Sequence, residues 1–118
     1  MAKESDFYCE QVLSGKTRVE KILETENVLA FYHTRPFYET HIVVIPKLHI
    51  RSLLDVNKTN EPVFLEIFDV IRQVAAKVVS EKEAARVLTN LGKYQESKHL
   101  HFHVISGEQI RPDNTEVD

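Results

Sequence analysis

The stretch His99-Leu100-His101-Phe102-His103-Val104-Ile105 constrains this chain more than any other. Half of the 6 histidines fall within it, and they alternate with apolar side chains. A strand turns successive side chains to opposite faces. The three histidines therefore share one face, and Leu100, Phe102 and Val104 share the other. A helix would set His101 roughly opposite His99 and His103 and scatter the apolar residues around its axis, so the alternation predicts a strand. Neighbouring histidines on that strand stand about 6.6–7 Å apart. The spacing suits a row of imidazoles meeting one ligand, and it fills a hydrophobic core poorly.

The rest of the chain supplies a sheet for that strand. Residues 19–25 alternate in part and predict an edge strand. Glu26-Asn27 reads as a tight turn into a second strand over 28–33, which Thr34-Arg35-Pro36 breaks. Thr40-His41-Ile42-Val43-Val44-Ile45-Pro46 is β-branched and apolar, as a central strand buried on both faces should be, and Pro46 ends it. A long helix is predicted from Asn60 to about Ser80. Asn60 is its cap, Pro62 lies in its first turn, and Val63, Ile67, Val70, Ile71, Val74 and Val78 form its apolar stripe. Residues 84–90 read as a fourth strand, and the polar loop 91–98 feeds the histidine strand. Near the start, 6–13 suits a brief helix capped by Asp6 and ended by Gly15.

The expected class is α+β: four or five antiparallel strands with one long helix on one face and one short N-terminal helix. With 118 residues the chain reads as a single domain, 1–118. Its core is expected over about 6–107, with a loose polar tail over 108–118.

A formal charge of −3 gives no broad electrostatic footprint for a nucleic acid, although a small anionic ligand fits a locally positive site. No run approaches the ~20 apolar residues of a membrane span, so no membrane partner is expected. Cys9 is the single cysteine, which excludes an intramolecular disulfide and a multi-cysteine zinc site. Together these features point to a soluble, cytoplasmic setting.

Three readings of the histidines compete. The plainest is a solvated strand face. The second is a metal site, in which two histidines at i and i+2 share a zinc with His49 or a carboxylate such as Glu96. Against it, three alternating histidines splay along a strand and do not all reach one ion. The third is nucleophilic catalysis by a neutral imidazole. That needs an acceptor holding the ring's other nitrogen, and N–H donors facing an anionic transition state. A central histidine flanked by two others, with a fourth from another loop, supplies these parts, and phosphoryl or nucleotidyl transfer fits them best.

The pattern His99-Leu-His-Phe-His-Val-Ile resembles the H-φ-H-φ-H-φ-φ signature of the histidine triad family of nucleotide-binding hydrolases and transferases. His41-Ile-Val-Val-Ile-Pro-Lys-Leu-His49 is similar to the family's H-φ-φ-φ-I-P-K-x-H segment. Asn90-x-Gly92 and Gln95-Glu-Ser-Lys-His99 resemble its approach to the triad. Gly15, Leu29-Ala30-Phe31 and Pro36 also fall at familiar places, so the resemblance spans about 6–112.

The resemblance implies that His101 attacks the α-phosphorus of a nucleotide and carries a nucleotidyl-imidazole intermediate. A backbone carbonyl of its own strand orients the ring. His103 contacts the phosphate, His99 and His49 back each other, and Asn90 and Gln95 hold the phosphate or leaving group. No metal or other cofactor is required for the chemistry, and family members are typically homodimers with the long helix and a central strand at the interface, giving a continuous ten-stranded sheet. The implied activity is a purine nucleoside phosphoramidase, with dinucleoside polyphosphate hydrolysis and a nucleotide-binding module with little turnover as alternatives.

Four departures stand out. His33 occupies the place of an acidic residue that holds the ribose hydroxyls, and reads either as a ribose contact or as a solvent-facing strand end. Lys93 and Tyr94 occupy a shortened loop where paired glycines are usual, and Ser97 replaces a valine. Many bacterial-type members bind zinc through C-x-x-C. Here Cys9 alone remains, so that site is expected to be lost and Cys9 to be a small buried hydrophobe.

Overall fold

The computed structural model describes residues 7–112. A short π-helical segment, Tyr8–Leu13, comes first. The strands are β1 (Lys21–Glu24), β2 (Val28–Tyr32), β3 (Tyr38–Pro46), β4 (Arg86–Leu88) and β5 (Phe102–Gln109), and the one long helix is α1 (Glu61–Lys82). The sheet order is β1-β2-β3-β5-β4, and every neighbouring pair is antiparallel. This is the expected α+β layout, five strands and two helices. No helix among the described residues is long and apolar enough to cross a membrane.

The sheet is buried on both faces at its centre. One face carries Val28, Ala30, Ile42, Val44, Leu100, Phe102 and Val104 and packs against α1, which contributes Phe64, Ile67, Val70, Ile71, Val74 and Val78. Val63 of the expected stripe is only partly buried, and Phe64 takes the deeper position. The other face carries Leu29, Phe31, Val43 and Ile45 and is covered by Tyr8 and Val12 of the N-terminal helix. The helix is also tied to the β1–β2 turn: Asn27 donates its backbone N–H to Glu66 Oε2 at 2.8 Å and its amide to Oε1 at 3.0 Å. These bonds, with Thr25 first among the causes, hold the Glu66 carboxyl below its usual range.

Two element ends differ from expectation. The helix starts after Asn60, but the Asn60 side chain does not cap it. That amide accepts from the N–H of Asn57 at 2.8 Å and donates to the carbonyl of Asp55 at 3.0 Å, bracing the preceding loop. The helix runs to Lys82 and ends on Glu83 at φ 71°. The expected capping of the N-terminal helix by Asp6 lies outside the described residues. At its other end Gly15, at φ 83°, donates to the carbonyl of Val12 at 3.1 Å, the left-handed stop a glycine allows.

The histidine strand is shifted along the chain. Its ladder begins at Phe102, opposite Val44, rather than at His99. Pro46 has no N–H to extend the pairing. Residues 99–101 are held by other bonds: Leu100 N–H donates to the Ile50 carbonyl at 2.6 Å, and Thr89 Oγ1 donates to the His101 carbonyl at 2.7 Å. At the far end the strand runs past residue 107 to Gln109. Ile110 N–H then donates to the Phe37 carbonyl at 2.7 Å, and Arg111 Nε to that of Pro36 at 3.0 Å. Residues 108–111 therefore belong to the fold rather than to a loose tail.

Candidate active site

The three histidines share one face as the alternation requires, but that face is not solvated. His99, His101 and His103 are each at most 1% exposed. A buried imidazole must place both ring nitrogens, and here the partners fix the tautomers. Carbonyl oxygens only accept. His101 Nδ1, 2.7 Å from the carbonyl of His99, therefore carries the proton, and Nε2 is left as a lone pair. By the same logic His99 Nε2–H donates to the Pro46 carbonyl at 2.8 Å, and His99 Nδ1 accepts from the thiol of Cys9 at 3.3 Å.

His103 is set by a residue to which the motif gave no role. The N–H of Phe37 donates to His41 Nδ1 at 3.0 Å, so the His41 proton sits on Nε2. That N–H donates to His103 Nδ1 at 2.9 Å. His103 is left with its own proton on Nε2, a buried N–H with no hydrogen-bond partner among the described residues. Burial first, then the charges of His33, Arg111 and His101, push His41 down to about 3. Burial first, then His101, His41 and His33, hold His103 well below its usual value. Both rings are neutral at pH 7, and His103 offers a hydrogen bond without bringing a charge. His41 was findable: a histidine inside the most apolar strand needs a polar partner.

The remaining expected residues divide. His33 is buried, not solvent-facing. Its Nδ1 accepts from Arg35 N–H at 2.9 Å, and its ring lies 4.4 Å from that of His41 and 6.2 Å from that of His103. Asn90 lines a cavity together with His103. Gln95 is buried and donates its amide to the carbonyl of Arg51 at 2.8 Å, holding the loop before the triad. Tyr8, which the sequence did not single out, packs its ring 4.9 Å from that of His101 and 6.2 Å from that of Phe31, an aromatic wall beside the central imidazole.

His49 is exposed, with its ring 5.2 Å from that of His99 and its Nδ1 3.9 Å from Cys9 Sγ. Cys9 is half-buried against these two imidazoles rather than sealed in apolar packing. The donor atoms of Cys9, His49 and His99 lie within 4.8 Å of one another. One thiolate and two imidazoles suit zinc and supply three corners of a tetrahedral site. A metal held there would tie the N-terminal helix to the triad segment. The expectation that Cys9 is a small buried hydrophobe is thus corrected, because Cys9 is only half-buried and His99 spends Nε2 on Pro46 and turns Nδ1 to the thiol.

The HIT domain family model matches residues 15–110. An uncharacterized HIT-like protein of Helicobacter pylori is 35% identical over 102 residues, which is 85% of this chain and 95% of that protein. Among solved structures, a histidine triad protein from Clostridium difficile superposes with a TM-score of 0.75 at 30% identity, covering 97% of this chain and 100% of its own. A HIT family hydrolase from Legionella pneumophila superposes with a TM-score of 0.76 at 28% identity, covering 91% and 96% respectively.

Proposed function

This chain belongs to the HIT family, and from that premise we propose that it is a nucleotide hydrolase acting through His101, with a purine nucleoside phosphoramidate as its substrate. The observation that carries the reading is the His101 ring. Its Nδ1–H is held by the His99 carbonyl at 2.7 Å, so Nε2 is an imidazole lone pair on the face shared with His103. Nε2 attacks the α-phosphorus, and a P–N(His101) bond forms as the bond to the leaving amine breaks. The amine keeps that electron pair and takes a proton from solvent. The nucleotidyl-imidazole carries positive charge, which the His99 carbonyl stabilises through Nδ1–H. The Nε2–H of His103 and the amide of Asn90 face the phosphoryl oxygens. Water then attacks phosphorus and gives up a proton to solvent, the P–N(His101) bond breaks, and the pair returns to Nε2 with release of the nucleoside monophosphate. These steps use no metal and no cofactor.

Replacing His101 with Ala tests this. Turnover should fall by at least about 10³-fold, with the circular dichroism unchanged. An acid-labile nucleotidyl adduct, trapped by rapid quench in the parent protein, should be missing from the variant. Near-normal hydrolysis by the variant overturns the mechanism. Adenosine phosphoramidate assayed beside diadenosine polyphosphates separates the two hydrolase readings. Calorimetric binding with no monophosphate released marks a binding module instead.

The reading also places the protein in the cytoplasm as a homodimer that binds a small nucleotide rather than a nucleic acid or a membrane. Exposed apolar side chains support the dimer: Leu65 (71%) and Phe68 (47%) on α1, and Val87 (46%) on the edge strand β4. Light scattering should give twice the chain mass of 13.7 kDa.

A further inference from the structure

The N-terminal helix meets the triad with two consecutive residues. Cys9 lies against His99, and Tyr8 turns inward beside the central imidazole. Tyr8 and Val12 are the buried residues of that helix and pack with Phe31 and Val43, so its apolar side is laid on the histidine face of the sheet. Tyr8 is 1% exposed. Its ring centroid stands 4.9 Å from that of His101, with the planes tilted by 45°, and 6.0 Å from that of His99. Phe7 at 5.5 Å and Phe31 at 6.2 Å pack against the Tyr8 ring in turn and hold it there.

The reaction at His101 gives that contact a consequence beyond packing. In the first half-reaction the P–N(His101) bond forms at Nε2, and the bond to the leaving amine breaks with its electron pair. Nδ1 keeps its proton, so the neutral imidazole becomes an imidazolium. The positive charge spreads over a ring from which solvent is largely excluded. Around that ring stand the His99 carbonyl, 2.7 Å from Nδ1, the neutral His103 ring at 5.1 Å and the Tyr8 ring at 4.9 Å. A cation within about 6 Å of an aromatic centroid is attracted by the ring's quadrupole, most strongly where water is excluded. The attraction is absent while His101 is neutral and grows as the P–N bond forms. It therefore lowers the barrier rather than tightening substrate binding.

We propose that Tyr8 is a positioning residue for the nucleophile: its ring holds the His101 imidazole in place and stabilises the positive charge that the imidazole gains in the nucleotidyl intermediate. The proposal rests on the hydrolase reading above and adds a residue to its machinery.

Fluorination tests it, because fluorine drains electron density from an aromatic ring at nearly constant shape. Tyr8 is replaced by Phe and then by mono-, di- and trifluorinated phenylalanine. Formation of nucleotidyl-His101 from adenosine 5′-phosphoramidate is followed in a single turnover by rapid quench. Tyr8→Phe keeps the ring and should stay within about threefold of the parent protein. Along the fluorine series the rate at saturating substrate should fall stepwise, to about a tenth of the Phe variant's at the trifluorinated ring. Tyr8→Leu should lose about thirtyfold, with the half-saturating concentration within about twofold. A merely structural role would leave the rates indifferent to the fluorine count. A flat fluorine series, or a Tyr8→Leu loss that lies in half-saturation and not in rate, overturns this proposal and leaves the hydrolase reading intact. A parent protein that forms no nucleotidyl-His101 and releases no AMP overturns both.

Discussion

The two faces of β5 and the residues leading into it are equally buried, and different physics holds each of them. Towards α1, Leu100, Phe102 and Val104 meet Phe64, Ile67 and Val70 in a wholly apolar layer. Towards the N-terminal helix, His99, His101 and His103 are as deeply buried, yet four of their six ring nitrogens lie against polar partners: Pro46, Cys9, the His99 carbonyl and His41. The first layer depends on volume, since any apolar side chain of the right size keeps it. The second depends on atom identity, since each ring must carry its proton on one given nitrogen. Stability and chemistry are thereby separated onto opposite faces of one strand.

The largest effect that checks this separation lies on the apolar face. Ile67 is fully buried under the sheet. Ile67→Ala should cost about 2–5 kcal/mol, and Ile67→Leu under about 1.5 kcal/mol, both read by urea denaturation. Turnover per folded molecule should stay within about twofold. A large loss of kcat without loss of stability would show that the faces are coupled.

The same division explains what the sequence could tell. Periodicity reports burial and direction, so the apolar layer, the α1 stripe and the shared histidine face were legible from spacing alone. Hydrogen bonds between residues distant in sequence leave no period. His41 lies 62 residues from His103, its partner, and Cys9 lies 90 from His99. His41 was visible as a motif position and as an oddity, a histidine inside an apolar strand, but its partner was not. Strand ends were obscured for a related reason: Pro46 removes a rung of the ladder, and Arg111 adds bonds beyond it, and neither effect is periodic. His33 was undecided because its place depends on the ring of His41 at 4.4 Å, which a local reading of β2 does not contain.

A middle-sized effect probes the polar face through pH. His41 is neutral in the fold, its value pushed from the ordinary 6.5 down to about 3. Between those values the unfolded chain binds a proton that the native protein does not, so stability rises with pH and is lost as pH falls below 6.5. The loss is about 1.4 kcal/mol per pH unit for each such group. His103 acts in the same direction. Gln in place of His41 keeps an N–H donor for His103 Nδ1 and removes one titration. In His41→Gln the stability difference between pH 7.5 and pH 5.5 should shrink by about 1.4 kcal/mol or less, measured by urea denaturation at each pH. An unchanged slope would mean that His41 does not hold its neutral state through burial, and the contrast between the faces would lose its electrostatic half.

The smallest effect belongs to the Cys9 end of the row. The thiol of Cys9 donates to His99 Nδ1 at 3.3 Å, a weak bond from a half-buried group. Cys9→Ala removes that donor from a buried acceptor and should cost about 1 kcal/mol, with Cys9→Ser recovering most of it. Turnover should change by less than about twofold, because His101 is oriented by the backbone carbonyl of His99 and not by its ring. Treatment with a chelator should likewise leave turnover unaltered, even though Cys9, His49 and His99 cluster closely enough to hold a metal. If Cys9→Ala or chelation instead abolishes hydrolysis, the His99 ring must control His101 through more than its carbonyl, and the row of imidazoles acts as one coupled unit rather than a nucleophile on a fixed backbone.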